Sequence, residues 1–531
     1  MALLPRPKYR EGIKKRMTAE FGGYAHRTAA RDGMIWDMKN ISCDEYPVLT
    51  PRQKRIQVFS MAKPNGFYAG DGIYWVDGTE FFKDGLHKNP ENPLSDSKKD
   101  IYALGPWLVI MPDKMCYNRK TGDFLSIEEK CTCKVKFTNG TYGGVSTENN
   151  TIVRQSGEFA FKAGDAVEIS GDEVDEANKK TAVIREVSDD KNELRFYEHT
   201  FVKNETFKDA TIERLMPDMD FLCENENRLW GCKDDTIYAS KLGDIFNWHV
   251  YDGVSTASFA TDVGSPGEFT GCTSYLGYPV FFKEDNIYKV HGNKPSNFQV
   301  IASASLGIAA GSEHSTAVAG EKLFYFSRAG VVQYSGGVPK NISAPFGNVQ
   351  YKNAVGGSDG TKYYISMQEE GGNYVLFVFD TKTNLWCRED NTQVLRFGWN
   401  EQLYFLDAEG DMWAGGNPRN KQGEEEREIE SMVEFADFYE GGAENSITAK
   451  ILMRMEAEAG AEIEIQFQYD SIGAWKTAAK LTPHKKRSYY LPLIPRRCDH
   501  FRIRVIGKGS WKIYSLVRES YKGSALSGGN L

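Results

Sequence analysis

The chain reads as all-β: a β-propeller of about seven blades, with a small inserted β-barrel and a C-terminal β-sandwich. Three observations predict this. One pattern recurs five times, an apolar strand, a tight polar turn and a second strand carrying an aromatic, at 66–75, 227–238, 278–288, 322–334 and 402–413. Taking Met219, Phe269, Glu313, Ala354 and Val394 as unit starts gives spacings of 50, 44, 41 and 40 residues, the length of a four-stranded blade. The composition, with 51 Gly, 27 Tyr and 30 Phe in 531 residues, favours turns and pleated sheet over helix.

The elements follow in order. Residues 1–60 form an N-terminal arm, basic at first and broken by Pro47 and Pro51, so it is expected to be ordered but irregular. Such an arm packs on a neighbouring subunit or on its own body. Residues 61–130 hold the first part of the propeller as two clusters of short strands with Gly or Asp turns, the pattern of antiparallel meanders. Residues 131–215 differ: Phe161–Gly171 and Thr181–Val187 alternate apolar and polar side chains, as half-buried strands do. This segment is assigned to the inserted barrel. Residues 216–416 carry the main part of the propeller, because a blade cannot cover both of its faces alone and must stack against neighbours. A charged linker, 417–430, is expected to be solvated. Strict alternation returns at Ile447–Met455, Glu462–Tyr469 and His500–Ile506, marking a sandwich over 431–520. A loose tail, 521–531, ends the chain.

Charge and cysteines narrow the function. The 65 Lys and Arg against 73 Asp and Glu leave −8, which disfavours a dominant nucleic-acid-binding role. No apolar run approaches the roughly 20 residues of a membrane span, and the first residues turn polar too soon for a signal peptide. The nine scattered cysteines are therefore expected to be reduced thiols, several buried in strands. Cys131-Thr-Cys133 lacks the two-residue spacer and partner pair of a zinc site. No metal or cofactor is expected.

Nothing selects a catalytic centre. There is no Gly-x-Ser-x-Gly elbow, phosphate-binding loop or His-Glu-x-x-His pair. The eight histidines are dispersed, and His249 and His291 read as surface groups near strand ends. Asp470–Trp475 resembles only a fragment of the glycosidase-type Asp-box turn, and no carboxylate pair stands out. The chain is expected not to be an enzyme. Two stretches make the last domain locally basic, His484–Arg487 and Pro495–Arg504, while Glu424–Glu430 is acidic. Ordinary solvated faces explain them; the functional reading is a basic edge of one subunit meeting an acidic edge of another subunit or protein, and contact with DNA phosphate is a weaker third reading, since no aromatic–basic interleaving marks a stacking platform.

Three strings add a family resemblance. Arg228–Trp248 resembles an R-L-W-G…I-Y-x-S-x-x-G-D-x-x-N-W blade of bacteriophage tail proteins. Tyr489–Arg504, with Trp511–Leu516 after it, is similar to the end of the same proteins, and Tyr46–Arg52 is similar to their opening. The group includes packaged-DNA stabilisation (tail hub) and tail nozzle proteins of short-tailed phages. The resemblance implies a structural virion protein in the tail, assembled in the bacterial host cytoplasm. It would form a homo-oligomeric ring, commonly sixfold, below the portal and head–tail adaptor. The ring would retain packaged DNA and conduct duplex DNA during ejection without reading its sequence or entering a membrane. Subunit contacts would fall on the arm and sandwich, with Tyr46, Pro47, Arg52, Arg487, Arg496, Arg497, Arg502 and Arg504 as candidates. The competing reading is a host-receptor or glycan-binding propeller at the tail tip, using aromatics such as Trp75 or Trp413. Each of those falls in a repeat strand, where blade core is the simpler role.

Overall fold

In the computed structural model, residues 13–27, 31–88, 90–416, 418–419, 422–440, 446–492 and 495–522 are described. The start of the arm, part of the charged linker and the tail from 523 onward lie outside them. The described residues are all strands, turns and four short 3-10 turns. They divide into two compact units, residues 1–61 with 314–531, and residues 62–313.

The unit of residues 62–313 is built from four-stranded antiparallel meanders. Their strands are Pro64–Ala69, Ile73–Asp77, Glu80–Lys83 and Leu86–Lys88; Asp100–Leu104, Trp107–Met111, Met115–Asn118 and Phe124–Ser126; Phe221–Asn225, Arg228–Lys233, Thr236–Ala239 and Phe259–Asp262; and Gly271–Tyr275, Tyr278–Lys283, Asn286–His291 and Gln299–Ala304. The first strands of successive meanders lie side by side. The faces stack as blades do. On Trp107–Met111, Leu108 and Ile110 join Tyr74 and Phe81 of the preceding meander, while Val109 and Met111 join Leu222 and Trp248 of the next. Trp230 and Cys232 likewise pack against Phe281 and Tyr288. A strand covered on both faces needs an apolar residue at every position. That is why these strands read as continuous apolar runs.

The insert forms a barrel around its own core of Val135, Phe137, Ile152, Phe161, Ile169 and their neighbours. Its seven strands form one antiparallel sheet whose two edge strands are Lys180–Val183 and Glu186–Val187. Only Ile184 and Arg185 separate those edges, so one bent segment closes the sheet on itself.

The other unit contains meanders Ala317–Ala319, Lys322–Ser327, Gly330–Tyr334, Lys340–Asn341 and Tyr351–Ser358, Lys362–Glu369, Tyr374–Asp380, Leu385–Arg388. A third has strands Val394–Asn400, Gln402–Asp407 and Asp411–Ala414, and its fourth strand, Ile56–Ser60, comes from the arm. Tyr364, Val378 and Leu403 pack together between two of these sheets. The C-terminal sandwich has two five-stranded sheets, and both take a strand from the arm. Lys14–Thr18 pairs with Trp511–Lys522, and Ile35–Lys39 pairs with Glu430–Phe435.

Three expectations are corrected here. The described part of the arm packs on its own chain, as one of the two expected placements had it, but as paired strands rather than irregular structure: they complete one blade-like sheet and both sandwich sheets. The charged linker is not merely solvated: Glu424–Glu425 pairs beside Ile56–Gln57, and Glu426 is drawn into a buried ion cluster. The cysteines are not all reduced, because Cys43 and Cys387, 344 residues apart, are joined by a disulfide.

Candidate functional site

The predicted contact residues separate by burial. Arg52 is buried and wholly engaged within its own chain. Its guanidinium grips both oxygens of Glu426 at 2.7 and 2.8 Å, and its Nε donates to Asn40 Oδ1 at 2.8 Å. Arg55, beside it, reaches Glu389 at 2.6 Å and Asp390 at 2.8 Å. Two guanidiniums thus face three carboxylates. Burial by itself would raise the pKa of Asp390, but Arg55, then Arg52 and Thr392, outweigh it and hold the group at about 2. Glu426 is pulled down in the same way, burial being outweighed by Arg52. The same carboxylates favour the charged form of Arg55 despite its burial. A buried, fully paired Arg stitches the arm to the blades and linker, and it offers nothing to a neighbouring subunit.

Arg502 and Arg504 are also turned inward. Arg504 pairs with Glu434 at 2.7 Å and lies 4.0 Å over the Trp475 ring. Arg502 reaches Glu434 and Asp437 and lies 5.1 Å over Trp36. The acidic partners of this basic stretch come from the neighbouring strand and the loop after it. Tyr46, Pro47, Arg487, Arg496 and Arg497 are exposed. They remain the residues of the predicted set that can meet another molecule. Of the two histidines read as surface groups, His249 is half-buried, which lowers its pKa, and His291 is half-buried too.

The Arg228–Trp248 string has a different logic: Arg228, Gly243, Asp244, Asn247 and Trp248 hold the turns, the core and the barrel junction of the blade. Arg228 is 2 % exposed and pairs with no carboxylate among the described residues. It instead donates to the carbonyls of Ser240, Ala257 and Ser255 at 2.6, 2.7 and 2.9 Å, and burial lowers its pKa. Gly243 turns the chain at φ 71°, a conformation that favours glycine. Asp244 then caps Phe246 N–H and accepts from Asn247. Asn247 links the blade to the barrel: its Oδ1 accepts from Ala166 N–H at 2.9 Å, and its Nδ2 donates to Asp165 at 3.1 Å. Asp165 is paired in turn with Arg214 at 2.6 Å. Trp248 fills the core and donates Nε1 to Ile245 O.

Among the described residues, no group of three or more His, Cys, Asp or Glu is placed to hold a metal ion. The cavity lined by Arg52, Lys362, Tyr364 and the disulfide measures about 20 Å³, room for a water molecule rather than a substrate. Cys223, Cys232 and Cys272 meet in the core, and burial and mutual contact keep their thiols protonated. No helix is long and apolar enough to cross a membrane among the described residues.

No protein-family profile matches the chain, and no curated protein matches it. Solved structures give distant likenesses. An exo-β-1,3-galactanase from Phanerochaete chrysosporium aligns over 56% of this chain and 94% of its own, at 6% identity and TM-score 0.21. Raptor from Chaetomium thermophilum aligns over 70% of this chain and 29% of its own, at 11% identity and TM-score 0.31. The phage phi92 endosialidase aligns over 72% and 69%, at 8% identity and TM-score 0.24. Likeness at that level says nothing about activity or partner.

Sequence reasoning missed Arg55, Glu389 and Asp390 because their partners lie more than 300 residues away, and Asn40 because nothing around it marks Arg52 as its partner. A signal for Asn247 was available. Its place in the blade string, next to a core tryptophan, marks it as a junction residue.

Proposed function

We propose that the chain is a structural protein of a bacteriophage tail, a hub or nozzle that assembles as a ring below the portal and adaptor. The ring retains packaged DNA and passes it during ejection. One observation carries this reading. In the 228–248 string, Arg228 and Trp248 hold the blade's own turn and core while Asn247 ties it to the inserted barrel, so the likeness falls on residues that shape the fold. The arm and sandwich, woven into one body, supply a rigid block. On it Tyr46, Arg487, Arg496 and Arg497 stand outward. The tip-adhesin reading through Trp75 or Trp413 finds less support: Trp75 is 5% exposed, and Trp413 is half-buried and donates to Asp407 at 2.8 Å.

Native mass spectrometry of the purified chain, alone and with portal and adaptor, tests the proposal. A closed ring of about six copies supports it. A chain that stays monomeric in every combination contradicts it.

A further inference from the structure

The barrel carries an aromatic corner that a DNA conduit does not use. Strand Glu129–Tyr142 turns into Val145–Arg154 through Gly143 and Gly144, at φ 58° and 81°. Nothing lies within 4 Å of where either glycine would carry a Cβ, so the hairpin tip stands in open space. Tyr142 is 39% exposed, Tyr197 52% and Val145 68%. The two tyrosine rings, from separate segments, meet with centroids 6.2 Å apart and planes at 65°, forming two walls of a corner. Arg185 backs one wall, its guanidinium 3.7 Å from the Tyr197 ring centroid, and Asp252 holds it at 3.4 Å. Glu186 pairs with Arg195 at 2.6 Å and accepts the Gly143 N–H at 3.4 Å. Arg195 also binds Glu193 at 2.8 Å, so the charges around the corner are paired with one carboxylate in excess.

The geometry points to a binding site for a neutral sugar ring at the Tyr142–Tyr197 corner. A pyranose has an apolar C–H face that stacks on an aromatic ring and an equator of hydroxyls that need planar donors and acceptors. The corner offers both, with tyrosines that lose little entropy on binding. Paired charges with one carboxylate in excess leave no positive field to hold a phosphate or an acidic sugar. Two rings and a valine are also far too small for a stable protein partner, which needs roughly 800 Å² per side. One or two sugar units fit that area. The site belongs to the barrel, with its own closed core, and stands whether or not the chain forms a tail ring.

The test uses the full chain, titrated with maltohexaose, cellohexaose and chitohexaose and read by saturation-transfer NMR. At least one should bind at millimolar concentration or below, with transfer strongest to ring C–H protons. Tyr142→Ala and Tyr197→Ala should each weaken binding by about tenfold or more. Tyr197→Phe, which keeps the stacking face, should stay within about twofold of the parent. All three variants should unfold at the parent temperature, since both rings are exposed. The inference is overturned if none of the three hexasaccharides binds, if binding survives both alanine substitutions, or if only an oligosialic acid added as an anionic control binds.

Discussion

Replacing Arg52 with alanine distinguishes a structural clamp from a subunit contact. In the folded chain Arg52 neutralises Glu426 through two short bonds, shares Asp390 with Arg55 and satisfies Asn40. Its removal leaves Arg55 alone against Glu389, Asp390 and Glu426, all largely buried. Breaking a buried pair from one side costs about 3–5 kcal/mol, because the remaining charge is stranded. The cost should depend on pH in a defined direction. Asp390 falls from 3.8 to about 2 on folding, worth roughly 2 kcal/mol. A depressed carboxylate stabilises the fold above its unfolded pKa, and that contribution disappears as pH falls from about 4 towards 2. The gap between parent and variant should therefore be full at pH 7 and narrow below pH 4. Hydrogen exchange across a urea series, followed by mass spectrometry, reports the unit of residues 1–61 and 314–531 separately from the rest. Peptides around 35–60 and 385–430 should lose protection at markedly lower urea in the variant, whereas Arg496→Ala should shift them by at most about 0.5 kcal/mol. If Arg52→Ala unfolds like the parent at pH 7 yet fails to assemble, the clamp is wrong and Arg52 is a contact residue.

Other predictions follow from the same contacts. Cys43→Ser opens a closure spanning 344 residues. By loop entropy this costs about 6 kcal/mol at most, and urea midpoints with and without reductant should differ in the parent but coincide in the variant. Arg228→Lys should destabilise the unit of residues 62–313 by about 2–4 kcal/mol, because one ammonium cannot reach three carbonyls set around a planar guanidinium. Asn247→Ala should loosen the barrel on its blade, seen as faster exchange at Ala166 and Asp165, at a cost of about 1–3 kcal/mol.

What the sequence revealed follows from range. Blade strands were legible because a four-stranded meander closes its hydrogen bonds within some 40 residues, so the runs 278–288 and 322–334 carry their own pattern. The barrel and sandwich were legible from alternation, a local mark of half-buried strands that holds even where the partners lie far along the chain, as in 129–137 with 205–214 and 446–457 with 511–522. The arm was not. Lys14–Thr18 pairs with a strand about 500 residues later, and no local periodicity announces such a partner. The ion cluster failed likewise, since Arg52 and Glu426 are separated by 374 positions. Proline at 47 and 51 correctly limits the pairing of that stretch to two-residue strands, 41–42 with 50–51. The thiol reading erred because nothing near Cys43 marks Cys387 as its partner. Basic residues at 502 and 504 invited an intersubunit reading because their partner, Glu434, is about 70 positions upstream.

An end-on cryo-EM view of the purified assembly tests a ring-forming tail role most directly. The prediction is a closed ring of about six subunits around an open channel wide enough for duplex DNA, with exposed Arg487, Arg496 and Arg497 at or near subunit contacts. Particles that are single subunits, or open chains without a channel, would contradict it.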